Sequence, residues 1–420
     1  MAVQSVAAGT VAPAVTEETR NPFASTNFRL WWAASIVSGA GVGIQTVIVP
    51  LFIRDRVSLD HRAAAIGLEL IAANLVGALL ALVGGVAADR IERRRILVRT
   101  YLVTTSVASI YVLLSGFDVR VIWPVYILAA TVGAAGAFTN PARQSMVPQM
   151  LTRAQLQNGI ILGNMAFMAM LQFGGPALGG ILAGTAGLPV AFAVEVGCLG
   201  AGALLFSRIA TDRPVPTGKT VIGDLVDGLR YVKTSPALTG LLVLGTIPGM
   251  FIMGPFAVTV VIQVEDVFKA NDAFVGLLWA CFGGGILVGS VLMTIRRLPR
   301  RGLWACLSIL FGGTAFLAYG LSEALPLSMV LVVVLGIVGP ALFINTVVAL
   351  LQEAARPEMM GRVMSMYSLA FTASGPIGFA WASIVASLWG PKPAILSGAV
   401  CCMALGVGCL LFLKPVRRLA

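Results

Sequence analysis

A dense burst of charge follows directly on a long apolar run near residue 85 of the chain. The run ends at Gly85, and Asp89, Arg90 and Glu92 are followed by three consecutive arginines, Arg93–Arg95. Each arginine at membrane depth costs roughly 2.5 to 3.5 kcal/mol on insertion scales, so an apolar helix that reaches this burst must leave the bilayer there. The burst therefore predicts a membrane exit and fixes its side.

The composition agrees with a membrane protein and excludes a soluble one. Of the 420 residues, 58% are hydrophobic and 11% are charged, and the mean hydropathy is +0.92, whereas soluble domains carry about 25% charged residues. The 29 basic residues outnumber the 18 acidic ones, but they lie between apolar runs without stacking aromatics. They indicate membrane topology and argue against a nucleic-acid partner. The six cysteines lie in apolar stretches without metal-ligand spacing, so no metal site is expected.

Apolar runs long enough to cross a hydrocarbon core of about 30 Å recur along the whole chain. They predict an all-α membrane protein with about twelve transmembrane helices, numbered here as spans 1 to 12. The predicted spans are Trp31–Phe52, Ala63–Ala87, Ile96–Gly116, Val121–Phe138, Asn158–Gly184, Leu188–Phe206, Leu238–Val264, Phe274–Thr294, Leu303–Ser322, Leu325–Val347, Met364–Leu388 and Ala394–Leu413.

The distribution of basic residues predicts that both termini are cytoplasmic. With that orientation, all but six of the 29 basic residues lie on the cytoplasmic side, including those after spans 2 and 8. The six that would lie outside are Arg54, Arg56, Arg62, Arg120, Lys269 and Lys392.

The polar segments divide the chain into two blocks of six spans. Residues 1–28 are expected to be a disordered cytoplasmic leader without a cleavable signal, and residues 29–207 a first six-helix bundle. Residues 208–236 contain prolines and an amphipathic segment over 221–232, which predicts a cytoplasmic linker with an interfacial helix. Residues 237–420 are then a second bundle.

The two blocks look like copies of each other. Phe138–Asn140 precedes a Gly-Pro pair at Gly175 and Pro176, and Phe343–Asn345 precedes a Gly-Pro pair at Gly375 and Pro376. Internal repeats of this kind are typical of transporters that carry a binding site near the midplane between two bundles.

The loop after span 2 resembles the GxxxDRxGRR signature of the major facilitator superfamily, through Gly85, Asp89, Arg90, Arg93 and Arg94. The resemblance covers nearly the whole chain and implies two six-helix bundles that rock around a central cavity. It also implies a latch, in which Asp89 contacts the N-terminus of helix 11 near Arg362, with the loop arginines as a charge relay. A helix N-terminus stabilises a carboxylate by roughly 0.3 to 2 kcal/mol.

Further motifs narrow the resemblance to an efflux branch. Gly175, Pro176, Gly179 and Gly180 resemble the helix 5 antiporter motif. Segments similar to those of macrolide-efflux proteins and the enterobactin exporter are Asn140–Arg143, Leu156–Asn158 and Gly361–Val363.

Two positions depart from the superfamily pattern. Ala129 stands where proton-coupled members carry an arginine, four residues before Gly133. In the second half, Met293 replaces the acid that corresponds to Asp89, so we expect an asymmetric latch.

Two glutamates are the candidates for proton coupling. Glu195 lies near the middle of span 6 without a basic residue in the same span. A carboxylate there is either protonated or faces a water-filled cavity, and a neutral structural glutamate is the alternative to a proton carrier. Glu69 lies in the outer part of span 2, where it either faces the cavity or snorkels beside His61 and Arg62.

Neutral polar residues at membrane depth are candidates for the substrate path. These are Gln45, Asn164, Gln172 and Asn345, and hydrogen bonding between helices is the alternative explanation for each. No complete GxxxxGKS or GxxxxGKT P-loop occurs, and the single histidine lies outside the spans, so we expect neither an enzyme nor a cofactor.

The sequence as a whole predicts a secondary transporter of the plasma membrane that works as a monomer. The spans offer few charges and many apolar side chains, which favours a small amphipathic cargo such as a drug, siderophore or secondary metabolite. The helix 5 resemblance and the absence of an ATP site favour proton-coupled efflux of that cargo. An importer or lipid flippase of the same fold, and a non-transporting membrane sensor or scaffold, are the alternatives.

Overall fold

A computed structural model describes residues 21–210, 229–295, 299–356 and 358–417. Within these ranges, twelve helices are long and apolar enough to cross a membrane, which confirms the predicted all-α fold. They are α1 (Thr26–Arg54), α2 (Arg62–Arg90), α3 (Arg93–Gly116), α4 (Trp123–Met150), α5 (Arg153–Ala186), α6 (Leu188–Ser207), α7 (Pro236–Asp266), α8 (Ala273–Ile295), α9 (Arg301–Leu321), α10 (Leu325–Ala354), α11 (Met360–Trp389) and α12 (Pro391–Phe412).

Two predicted boundaries are wrong. The leader was predicted to extend to residue 28, but Asn21 caps a short helical turn at Pro22–Ala24 and α1 begins at Thr26. Span 4 was predicted to end at Phe138, but α4 continues to Met150. The apolar run is shorter than the helix because the last turns of α4 carry polar residues, of which Thr139 and Arg143 are buried in the protein.

The predicted linker is described only in part. Residues 211–228 lie outside the described ranges, and most of the predicted interfacial helix lies among them. Residues 229–233 are helical. The Tyr231 hydroxyl accepts a hydrogen bond from the Arg356 backbone N–H at 3.2 Å, so the end of the linker contacts the α10–α11 loop.

Widened π turns occur in three helices and adjoin or contain a proline. The turn at Met170–Gly174 precedes Pro176 in α5, and the turn at Gly249–Met253 precedes Pro255 in α7. A third turn lies in α10, at Ile337–Ala341. Proline cannot donate the next helical hydrogen bond, and a wider turn absorbs the local mismatch.

The two bundles use the same packing device in equivalent places. A Cβ built on Gly175 of α5 would lie 2.7 Å from Gly43 Cα of α1. In the second bundle, a Cβ built on Gly254 of α7 would lie 2.7 Å from Gly378 Cα of α11. Glycine at both contacts lets the helix backbones touch, as expected for two copies of one bundle.

Candidate functional site

The spanning helices end at two opposite faces of the protein. The Arg54 end is the face where α1 ends and α2 begins, and where α7 ends and α8 begins. The Arg93 end is the opposite face, where α3, α5, α9 and α11 begin. Contacts between the two bundles at each end show whether that end is open or closed.

At the Arg54 end, ion pairs join the first bundle to the second. Arg54 donates both terminal nitrogens to the two carboxylate oxygens of Asp272, with Nη2 to Oδ2 at 3.0 Å. Its Nε lies 3.4 Å from Glu265 Oε2, and Arg62 Nη1 donates to the same oxygen at 3.0 Å. The Arg54 side chain is 10% exposed, whereas Asp272 is 25% and Glu265 39% exposed, so water screens this network less than it screens a fully exposed pair. The network holds the Arg54 end closed.

Arg56 fixes the first bundle beside this network. Its Nε donates to the Val119 carbonyl at 2.9 Å, and its guanidinium lies 3.6 Å from the centre of the Phe52 ring. Burial lowers the pKa of Arg56, and the nearby Asp118 partly offsets that effect. The side chain therefore anchors the α1–α2 loop on the α3–α4 loop.

Backbone contacts extend the closed region toward the middle of the protein. Gly67 of α2 packs against Ser383 of α11, where a Cβ would collide with the serine hydroxyl. A Cβ built on Gly180 of α5 would lie 2.6 Å from Gly276 Cα of α8. Further along, Gly283 of α8 packs against Gln172 of α5. The two bundles thus touch from the Arg54 end to about the level of Gln172.

Toward the Arg93 end, α11 presents an exposed polar stripe. Gly361, Ser365, Ser368 and Thr372 recur at helical spacing and are all exposed. On an ideal helix this stripe lies roughly opposite exposed apolar residues such as Ile384. Because apolar residues face lipid, the polar stripe indicates a water-filled surface between the bundles.

A second stripe lies on α4. Asn140 and Gln144, one turn apart, are exposed at the Arg93 end of that helix. We infer a cavity that is open at the Arg93 end and closed at the Arg54 end. The sequence analysis missed both stripes, although a search for polar residues at helical spacing would have found them.

The predicted proton carriers lie inside the first bundle rather than on this cavity. Glu195 is 0% exposed, and among the described residues neither of its carboxylate oxygens has a hydrogen-bond partner. Glu69 is 8% exposed, and its Oε2 has no hydrogen-bond partner in the part of the chain that the structure describes. The expectation that Glu69 snorkels is wrong, because Arg62 pairs with Glu265 and His61 with Ser58.

Two of the four substrate-path candidates lie in contacts with α8, and the other two are half-buried in the first bundle. Asn345 donates to Ser290 Oγ at 3.1 Å and to the Ala341 carbonyl at 2.7 Å, and so joins α10 to α8. Gln172 lies in the contact between α5 and α8. Gln45 and Asn164 are half-buried in α1 and α5.

Arg143 lies where the sequence analysis did not place it. We counted it among the basic residues on the cytoplasmic side, but its side chain is fully buried in α4. The guanidinium lies 3.7 Å from the centre of the Phe167 ring, and its Nε and Nη1 have no hydrogen-bond partner within the described ranges. Arg143 is therefore a buried cation that packs on an aromatic ring.

Comparison with known proteins identifies the family of this chain. A family described as transmembrane secretion effectors matches residues 18–418. The chain belongs to this family. Among its relatives, the multidrug efflux pump Tap of Mycolicibacterium fortuitum is 29% identical over 92% of this chain and 95% of the relative. The enterobactin exporter EntS of Escherichia coli O6:K15:H31 is 26% identical over 93% of this chain and 92% of the relative. These relatives confirm the resemblance to the efflux branch of the major facilitator superfamily.

Solved structures support the fold. A peptide transporter crystallised with sulfate is 13% identical, with a TM-score of 0.72 over 94% of this chain and 95% of that chain. A bacterial homolog of the human lysosomal transporter Spinster, solved in an inward-facing and unoccupied conformation, is 14% identical. Its TM-score is 0.67 over 96% of this chain and 97% of that chain. The protein is therefore a multi-pass membrane transporter of the major facilitator fold.

The helix 5 motif of this family member has a clear packing role. Gly175 and Gly179 lie against α1, where added Cβ atoms would meet the Ala40 and Ile44 carbonyls at 2.6 and 3.0 Å. Gly180 faces the other bundle through α8. The motif therefore allows close helix contacts both within the first bundle and between the two bundles.

In the signature loop, the side chains of Val86, Ala88 and Asp89 lie outside the described part of the structure. Glu92, which replaces the usual glycine, pairs with Arg94 at 3.0 Å and with Arg95 at 2.6 Å. A Cβ on Gly85 or on Gly361 of α11 would meet no described atom within 4 Å. At Gly85 and Gly361, the helix ends that the latch would join therefore make no close contact with described residues.

Proposed function

We propose that the protein is a proton-coupled exporter that moves a small amphipathic compound out of the cell by alternating access. The proposal depends on the difference between the two ends of the protein. Ion pairs join the bundles at the Arg54 end, whereas neutral polar stripes are exposed toward the Arg93 end. A cavity open on one side is one of the two states that a rocking transporter visits.

The orientation follows from the basic residues. The Arg93 end carries most of them, so the positive-inside rule makes it cytoplasmic, together with both termini. The cavity then faces the cytoplasm, where an exporter of the plasma membrane collects its cargo. The helix 5 motif and the names of the relatives favour export over import.

The cargo class follows from the surface of the cavity. The stripes on α4 and α11 offer amide and hydroxyl groups, and no charged group occurs in either stripe. Burying a charged substrate there would cost far more than burying an amphipathic one. A drug, siderophore or secondary metabolite with apolar faces and a few polar groups suits this surface, with Gln45 and Asn164 as further candidate contacts.

Proton coupling is assigned to the buried acids of the first bundle. Glu195 is the main candidate and Glu69 the second, because both lie at membrane depth without a counter-charge among the described residues. Asp89, Arg90, Arg93, Arg94 and Arg362 are assigned to a latch that closes the cytoplasmic side in the other state. The two bundles close the cavity within one chain, which suits a monomer that works as a transporter and not as an enzyme.

The experiment is an accumulation assay in a host whose own pumps are deleted. Expression should lower the intracellular level of at least one amphipathic compound, and a protonophore should erase the effect. Glu195→Gln should abolish uphill export while cargo binding survives, because the amide keeps the shape of the side chain but cannot titrate. Energy-dependent accumulation of the compound inside the cell would instead support an importer.

A further inference from the structure

Two pairs of helices meet across the gap between the bundles, α5 with α8 and α2 with α11. Both pairs touch near the Arg54 end, through Gly180 with Gly276 and through Gly67 with Ser383. Toward the Arg93 end, the facing sides of the same helices carry exposed side chains. These side chains differ in chemistry between the two pairs, and they determine what each gap admits.

Contacts with α1 define the side of α5 that faces α8. Near the Arg54 end, Gly179 packs on α1 and the next residue, Gly180, packs on α8. Toward the Arg93 end, Gly163 and Phe167 pack on α1. Successive residues of a helix are about 100° apart, so the residue after each of these contacts points to the side on which α8 lies.

The side of α5 that faces α8 is apolar at this level. Met168 and Ile161 lie on this side, two turns apart, and are 40% and 48% exposed. On α8, Leu287 and Val291 continue the face of Gly283, and Val291 is 51% exposed. We call these four apolar residues, Ile161, Met168, Leu287 and Val291, the α5–α8 seam.

The corresponding faces of α2 and α11 are polar. Thr372 and Ser365 lie about three and five turns from Ser383 on the same face of α11, and both are exposed. On α2, the half-buried Asn74 lies two turns from Gly67, the residue that packs on Ser383. We call Asn74, Ser365 and Thr372 the α2–α11 seam. Its amide and hydroxyl groups suit water, whereas the α5–α8 seam suits hydrocarbon.

The α5–α8 seam lies at the depth of the acyl chains. At a rise of about 1.5 Å per residue, Ile161 and Met168 are roughly 12 and 22 Å along α5 from Arg153, where that helix begins. The hydrocarbon core of a bilayer is about 30 Å thick. Acyl chains of the leaflet at the Arg93 end therefore reach these two side chains.

We infer that the cargo enters the cavity from the cytoplasmic leaflet of the bilayer, through the α5–α8 seam. An amphipathic compound dissolves its apolar part in that leaflet and meets apolar side chains at the seam. The flexible Met168 adapts to cargo of different shapes. Asn164, half-buried one turn from Met168, offers an amide to the polar groups of the cargo. This inference rests on the proposed function and adds the phase from which the cargo is collected.

The α2–α11 seam does not offer the same route. Its hydroxyl and amide groups lose their hydrogen bonds to water when hydrocarbon covers them, and this loss is costly. Water therefore enters the cavity on the α2–α11 side, and lipid-dissolved cargo enters on the α5–α8 side.

The first test measures which solvent covers each seam, on the full chain in lipid nanodiscs without the native cysteines. A nitroxide spin label is attached at Met168→Cys, at Val291→Cys or, as the matched control, at Ser365→Cys. Collisions with oxygen, which concentrates in hydrocarbon, are compared with collisions with a water-soluble nickel chelate. The oxygen-to-nickel ratio should be at least about tenfold higher at the two α5–α8 positions, equivalent to roughly 1.4 kcal/mol in partitioning. Equal ratios in both seams would overturn the inference.

The second test follows an amphiphile into the cavity. A bimane fluorophore at Asn140→Cys, on the α4 stripe, reports the cavity. The probe is a single-chain fatty acyl amide that carries a nitroxide quencher and stays in the bilayer, and a phospholipid with the same nitroxide is the control. The acyl amide should quench the bimane, and the phospholipid should not. Val291→Asp places a charge at hydrocarbon depth and should weaken the quenching at least about tenfold, whereas Ser365→Asp should leave it unchanged.

Three results of the second test would overturn lateral entry. They are a bimane that the acyl amide does not quench, equal quenching by the phospholipid, and equal loss of quenching in Val291→Asp and Ser365→Asp. If Val291→Asp does not fold, the spin labels at Met168→Cys and Val291→Cys still decide whether hydrocarbon covers the seam. Neither readout requires export, so failure of lateral entry and failure of the proposed function remain distinct.

Discussion

The ion pairs at the Arg54 end lead to a quantitative prediction about the state of the transporter. Asp272→Asn removes the charge that Arg54 contacts through two hydrogen bonds, and leaves a side chain of the same shape. Two charges 3.0 Å apart attract by about 5 to 6 kcal/mol at an effective dielectric constant near 20. Desolvation offsets most of this, and a hydrogen bond to a charged group contributes roughly 1.5 to 3 kcal/mol net.

We take about 2 kcal/mol as the loss, because Arg54 keeps Glu265 and Asp55 as neighbours. A loss of that size changes the ratio of closed to open Arg54 ends about 30-fold in favour of the open state. The substitution should therefore shift the population toward conformations that open at the Arg54 end.

The assay is the labelling rate of a cysteine at Ser383, which is 7% exposed in the contact between α2 and α11. The measurement uses a background without the native cysteines and a membrane-impermeant maleimide. Asp272→Asn should raise the rate up to about 30-fold, in proportion to the open population.

Glu323→Gln is the matched control. Glu323 pairs with Lys392 at 3.0 Å, but both residues belong to the second bundle and are exposed. Exposed pairs of this kind contribute about 0 to 1 kcal/mol, so this variant should leave the labelling rate unchanged. Equal rates in the wild type and Asp272→Asn would refute the assignment of these ion pairs as a closing contact.

Three further predictions concern the latch, the cavity surface and the topology. Asp89→Asn should reduce transport much more than folding; a distance distribution between the α2–α3 loop and the start of α11 that does not change would contradict the latch. Thr372→Trp should block transport by filling the cavity, whereas Ile384→Trp on the lipid side of the same helix should not, and equal export rates would contradict the cavity surface. A cysteine at Glu323 should react with an impermeant reagent from outside and one at Arg300 only from inside; the reverse pattern would invert the proposed topology.

The fold and the branch were predictable because they depend on patterns that lie along the chain. The length of each apolar run sets a spanning helix, and the burst after Gly85 sets a helix end. The Gly-Pro pair in span 5 was visible for the same reason. Helix ends such as that of α4 were predicted less well, because the polar residues after Phe138 are compatible with a loop or with a helix packed inside protein.

What the tertiary structure decided is which groups meet and which are buried. Arg54 and Asp272 are far apart in sequence, and no local pattern indicates that they close one end of the molecule. Glu69 was ambiguous between the interface and the cavity, and packing of the helices buries it. The physical reason is that burial and electrostatics depend on neighbours from other helices, whereas hydropathy and helix length are properties of each segment alone.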